Sequence, residues 1–463
     1  MSALNANTLI VALPVIAKDL QASLQTIVWT LMIYSLAITI LVPSIGRGSD
    51  IIGRKKLYVG GFAIFTLASL LCGLAQNGGQ LIACRLIQSI GASLIMANST
   101  TIVADAFPTW QLGTALGING MIISAGSVVG PILGGFLTNL SWRWVFFFNV
   151  PLGIIGTLWA GKQLHEAVEL PEGQFFDWQG TLVFTLSLGL LLWALTFGEL
   201  IGWRSWLIIG SLISGAILFW WFLIIEKGLT QPMLDLSLFR KRLLAAAFAS
   251  NFLNGLARGA VTFLMVFFFQ LIWGIDPLQA GIMLCPFALA MMIVAPVSGY
   301  LSDRFGSRGL SSLGLFISAI PLFGLTRLAY NTSRWEVMLW LVLMGIGSGL
   351  FFSPNTNAIM GAVSPERRGI AAGTRTMMNN AGMLLSMALG LALTTSSISP
   401  ETLRGLFAGT QVGSEGVAVN LFTAGLHRAF WLSFIVSLLA AFISSLRGTD
   451  DTSSETPVRE SSN

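Results

Sequence analysis

Apolar residues fall along this chain in long runs, without the alternation of a strand or the narrow stripe of a surface helix. A helix that crosses the hydrocarbon core of a bilayer needs about 20 predominantly apolar residues. Runs near that length recur over residues 2–17, 27–45, 57–75, 81–103, 113–137, 145–164, 180–200, 206–225, 243–267, 278–301, 310–328, 337–360, 369–393 and 426–445. Charged or turn-forming residues bound each run. The pattern predicts an all-α integral membrane protein of about 14 transmembrane helices. The first run is short for a span, which favours a true start upstream of Met1.

The charges between the runs are unevenly placed. Counting alternate loops, helix ends and tail, 15 Lys and Arg lie on the side of the N-terminus and 7 on the other. The positive-inside rule then places both termini in the cytoplasm. The tail, 448–463, is polar and acidic and is expected to be disordered.

Composition agrees with lipid as the outer solvent. Hydrophobic residues make up 54% of the chain and charged ones 10%, with mean hydropathy +0.79. A soluble chain carries roughly 25% charge. The formal charge of +5 is spread singly or in short runs, so no nucleic-acid arm exists. Cys72, Cys84 and Cys285 lie in apolar runs with no ligand or disulfide spacing, and neither a metal nor a cofactor is expected.

Two loops on the cytoplasmic side share a pattern. One follows the second run, with Gly46, Asp50, Gly53 and Arg54; the other follows the tenth, with Gly299, Asp303, Arg304 and Gly306. Each places an Asp four residues after a Gly and a second Gly three residues later. Glycines let helix ends turn and approach closely. The Asp can pair with a nearby Arg or face the positive N-terminus of a neighbouring helix. Contacts of this kind suit a gate. The two copies sit at equivalent places in two six-helix blocks, 1–165 and 231–447, with an inserted pair over 166–230. Parallel six-helix repeats are the build of transporters that rock two bundles around a midplane site.

These residues resemble the major facilitator superfamily. The 46–56 loop is similar to its signature loop, and Arg85-Leu-Ile-Gln88-Ser89-Ile-Gly91 to its helix-4 motif, with Ser89 where Gly is usual. Gly126, Gly130, Pro131, Gly134 and Gly135 resemble its helix-5 antiporter motif. Trp142-Arg143-Trp144 with Asn149 and Pro151, and Asp177-Trp178-Gln179-Gly180, are similar to the fourteen-helix drug:proton antiporter branch (QacA/EmrB-like). The resemblance implies alternating access in the plasma membrane and export of small amphipathic compounds against proton influx. No partner beyond substrate, protons and lipid is implied, and a monomer is expected. Independently, Gly126, Gly130 and Gly134 share one helix face, where a partner helix can pack closely.

One departure stands out. Asn5 occupies the position where the branch has a membrane carboxylate, and an amide does not carry a titrating proton near neutral pH. Asp105 and Glu199, near helix ends and read as solvated interfacial carboxylates, are the substitutes if protons are coupled. Three cations lie within the spans: Arg85, beside Gln88; Arg258, with Asn251 and Asn254 toward the cytoplasm; and Arg375. Buried ionisable groups in a membrane usually face a cavity or a partner. The runner-up expectation is therefore a positive cavity for an anionic or zwitterionic substrate without standard proton coupling; a transporter-derived sensor is a further alternative. An intramembrane enzyme lacks its parts, because only His165 and His427 exist and no paired-Asp arrangement lies at mid-span.

Overall fold

The computed structural model describes residues 1–22, 24–166, 175–229, 232–395 and 415–448. We number the helices α1 (Ser2–Asp19), α2 (Leu24–Ile52), α3 (Arg54–Gly73), α4 (Gly78–Ala106), α5 (Leu112–Leu140) and α6 (Trp144–Gln163, stepped between Phe147 and Asn149). Then follow α7 (Trp178–Ile201), α8 (Trp206–Gly228), α9 (Arg242–Phe267), α10 (Pro277–Phe305), α11 (Ser307–Leu325), α12 (Arg334–Gly361), α13 (Arg368–Thr395) and α14 (Glu415–Ser445). Among the described residues, thirteen helices are long and apolar enough to cross a membrane. Large apolar side chains such as Ile154, Trp159, Ile217 and Trp220 point outward, as lipid contact requires.

The helices begin where the sequence supplies caps. Asn77 accepts a hydrogen bond from the Gln80 N–H at 2.9 Å to start α4, and Asp177 one from the Gly180 N–H at 2.8 Å to start α7. Asp276 accepts from Leu278 and Gln279 N–H groups ahead of α10, whose first residue is Pro277. α14 starts at Glu415, earlier than the apolar run at 426. The expected disordered tail falls almost wholly on 449–463, outside the described residues.

Helix pairings repeat with an offset of eight. α1 packs on α5 as α9 does on α13; α2 on α4 as α10 on α12; α3 on α4 as α11 on α12; α3 on α6 as α11 on α14. This is the plan of two pseudo-symmetric six-helix bundles. Two long contacts join them, α2 with α13 and α5 with α10, and these are also equivalents under the same offset. The inserted pair α7–α8 packs on itself and along α2 and α13. Val183, Phe184, Phe222 and Met377 close one apolar cluster there, and Leu36, Ile40, Leu192 and Leu384 another.

Candidate functional site

Both long contacts between the halves end in a carboxylate at a helix N-terminus. In the first, Asp50 lies in the last turn of α2. Its Oδ1 and Oδ2 accept hydrogen bonds from the Gly369 and Ile370 N–H groups, each at 3.0 Å. These belong to the first turn of α13, where backbone N–H groups lack helical partners and the dipole is positive. The backbones meet because residues 46 and 369 are glycines: a Cβ on either would collide with the carbonyl oxygen of the other. Gly53, at φ +108°, then turns the chain into α3, a conformation that favours glycine.

Charge surrounds this first latch. Arg54 Nη2 donates to Asp50 Oδ1 at 2.9 Å, and its Nη1 to Asp105 Oδ2. Arg368 Nη1 donates to Asp105 Oδ1 at 3.0 Å and to the Ala104 carbonyl at 2.7 Å. Four buried charges thus tie α2, α3 and α4 to α13. Asp105 is therefore not the solvated interfacial group the sequence suggested; its side chain is only 4% exposed, held between two arginines. A second layer joins from the segment after α8. Asp235 pairs with Arg367 at 2.6 Å, Glu226 accepts from the Leu234 N–H, and Ser44 Oγ donates to Met233 Sδ at 3.3 Å.

The second latch has the same backbone and less charge. Asp303 Oδ1 accepts from the Gly113 N–H at 2.7 Å, and Oδ2 from the Thr114 N–H at 2.8 Å and hydroxyl at 2.7 Å. Gly113 and Gly299 make the close approach, and Gly306, at φ +81°, makes the turn. Asn357 adds a long bond of 3.4 Å. Among the described residues no cation pairs with Asp303. Arg304 is exposed and stacks on its neighbour Tyr300 at 4.5 Å, so it stays outside the latch.

A polar cluster lies inside the first bundle. Arg85, on α4, is 1% exposed. Its Nη1 donates to Asn5 Oδ1 and to Gln88 Oε1, both at 2.6 Å, and its Nε to the Thr30 carbonyl at 3.4 Å. Tyr34 stacks on the guanidinium at 4.1 Å. Gln88 Nε2 donates onward to Ser69 Oγ at 2.7 Å, which fixes the orientation of that amide. The helix-1 departure and the helix-4 motif therefore meet in space.

The other expected residues are dispersed. Arg258 stacks on Phe287 at 4.8 Å and Arg375 on Phe352 at 5.4 Å. Arg375 is 8% exposed, so it does not snorkel to the interface. Asn251 Nδ2 donates to the Arg375 carbonyl at 2.7 Å; Asn254 is buried on the same helix, and neither amide bonds to Arg258. The side chain of Glu199 lies outside the described residues. In the glycine motif, Gly134 lets the Thr8 backbone of α1 approach, Gly135 faces Leu278 and Pro131 faces Gly281, so α5 is shaped for α1 and α10 together. Gly126 and Gly130 continue that face. Sequence reading missed Glu166, which accepts from the Arg54 N–H at 2.7 Å and the Lys55 N–H at 3.2 Å and so caps α3. It also missed Glu226, Asp235 and Arg447, the last buried against Ser250, Ser311 and Asn355.

Comparison with known proteins matches residues 1–176 and 247–462 to the Major Facilitator Superfamily. The unmatched stretch contains the inserted pair. The chain is 32% identical over 397 residues to the riboflavin transporter RibZ of Clostridioides difficile, covering 86% of this chain and 85% of that one. It is 31% identical over 421 residues to multidrug resistance protein 3 of Bacillus subtilis, covering 90% and 81%. Among solved structures, the proton:xylose symporter XylE superposes with a TM-score of 0.65 at 12% identity, covering 95% of this chain and 91% of that one. The human organic anion transporter MFSD10 does so with 0.64 at 16%, covering 94% and 96%. At these identities the structural likeness concerns the fold.

Proposed function

Because the chain belongs to the Major Facilitator Superfamily, and so is a membrane transporter and not an enzyme, we propose that it exports small amphipathic organic compounds by alternating access. We assign it to the fourteen-helix drug-antiporter branch, in the plasma membrane, with both termini and both latches cytoplasmic. The moving bodies are 1–165 and 231–447, with α7–α8 riding on the seam between them. One observation carries the reading: each half plants a carboxylate on a helix N-terminus of the other. Such bonds connect rigid bodies without covalent strain, and water replaces each one when the halves part. They therefore bias a two-state equilibrium instead of locking it. Multidrug resistance protein 3 supports a drug-like solute, and the riboflavin transporter RibZ a flat heteroaromatic one.

Asn5 sets the coupling. In the cluster at Arg85 no described group is a carboxylate, and Asp105 is held by two cations. We place no proton carrier there, so solute flux through the wild type follows the solute gradient. Full-length protein in liposomes with pH clamped on each side tests both parts. Ethidium flux above that of empty liposomes, and independent of ΔpH, is expected; Asn5→Asp introduces a ΔpH-dependent component. No dye flux above background would remove the transport reading. A steep ΔpH dependence in the wild type would remove the coupling assignment alone.

A further inference from the structure

A guanidinium buried in a membrane bundle normally keeps its charge and finds a counter-charge, since an uncompensated buried ion is expensive. Among the described residues Arg85 has none: its acceptors are two amide oxygens and a backbone carbonyl, and its face is covered by Tyr34. Two donors in this cluster are unused. Among the described residues, Arg85 Nη2 donates to none and Asn5 Nδ2 is buried without a partner. The carboxamide orientation is not arbitrary. Oδ1 must face the cation, so Nδ2 is left as an N–H donor beside it. Covalent geometry keeps the two donor atoms within roughly 7 Å, a gap one carboxylate bridges with hydrogen bonds of about 2.8 Å.

Resting on the transporter reading, we propose that Arg85 and Asn5 form a receptor for the carboxylate of an organic monoanion, which supplies the counter-charge the protein lacks. The chemistry selects this class. The unused groups are all donors, so a cationic or acceptor-poor ligand gains nothing there. The single positive charge is neutralised by one carboxylate and overcompensated by a dianion. Tyr34 occupies the guanidinium face, so a ligand reaches its edge, where carboxylates bind. Asn5 is then a specificity residue: an Asp there would occupy the counter-ion position itself.

Two measurements test this. In purified full-length protein, benzoate is expected to raise the melting temperature, read by tryptophan fluorescence, more than equal chloride does. Asn5→Asp should remove that benzoate shift while keeping or raising the basal melting temperature, and Arg85→Lys should weaken it. In liposomes, wild type is expected to carry dansylglycine, a fluorescent monocarboxylate. Asn5→Asp should lose about tenfold of that flux, the scale of a lost charge-assisted bond. Ethidium flux without dansylglycine flux leaves the transporter reading standing and overturns the inference. If neither dye moves, the transport reading falls and the benzoate shift decides the receptor alone. A benzoate shift that is absent, matched by chloride, or unchanged in Asn5→Asp overturns it.

Discussion

The two contacts that join the halves, α2 with α13 and α5 with α10, occupy equivalent places in the repeat but sit in different surroundings. Along α2 and α13 the described large apolar side chains left exposed are Ile52 and Met383, because α7 and α8 cover that side. Along α5 and α10 they include Ile122, Ile132, Phe136, Ile282, Ile293 and Val297. The covered seam ends in a latch with Asp50, Arg54, Asp105 and Arg368, and the open seam ends in Asp303 and neutral donors. Duplication has preserved the backbone device, glycine against glycine and carboxylate on helix end. The electrostatics have diverged. The position after the turning glycine is Arg54 in one copy and Ser307 in the other, and that single difference removes the hub of the ion network.

If charge is what distinguishes the seams, unequal penalties follow. Reporter cysteines Ala371→Cys beneath the first latch and Ala115→Cys beneath the second, in a background without the three native cysteines, read opening as maleimide labelling rate. Asp50→Asn should have the largest effect, about 3–5 kcal/mol toward the open state, because it leaves Arg54 buried beside a single carboxylate. Labelling at 371 should rise by orders of magnitude, and no rise would break the comparison. Gly369→Val and Gly113→Val should each cost about 1–3 kcal/mol and by similar amounts, since the steric device is shared. A large inequality there would assign the difference to packing instead of charge. Asp303→Asn should cost about 1–2 kcal/mol, the loss of charge from bonds to neutral donors. Arg367→Gln should be smallest, below about 1 kcal/mol and abolished by salt, because its side chain is 56% exposed.

Much of this comparison was legible before the fold was known. Both Asp residues and all four glycines of the loops were read from spacing, because a turn after a helix end demands particular residue types locally. The partners Gly113 and Gly369 were not, because a helix start that receives a carboxylate has no obligatory side chain; its donors are backbone. Arg304 was read as a latch residue by analogy with Arg54, but it precedes the turning glycine and therefore points outward. Asp105 was misjudged as solvated because its counter-ions, Arg54 and Arg368, come from segments 51 and 263 residues away. Asn5 and Arg85 were each noticed separately. Their contact across 80 residues needed the coordinates. Glu166 and Glu226 carry no local signal at all, since a lone Glu after an apolar run serves equally well as a plain stop.

The inserted pair has a consequence for traffic in the plane of the lipid. Compounds dissolved in the acyl layer diffuse sideways and sample the perimeter of the protein. On one flank they meet a two-helix fender, and on the other a bare join lined with isoleucine, valine and phenylalanine. The acyl chains therefore touch one join between the halves directly and the other only through the added helices, so substitutions along the exposed edge of α5 and α10 alter the seam that lipid wets.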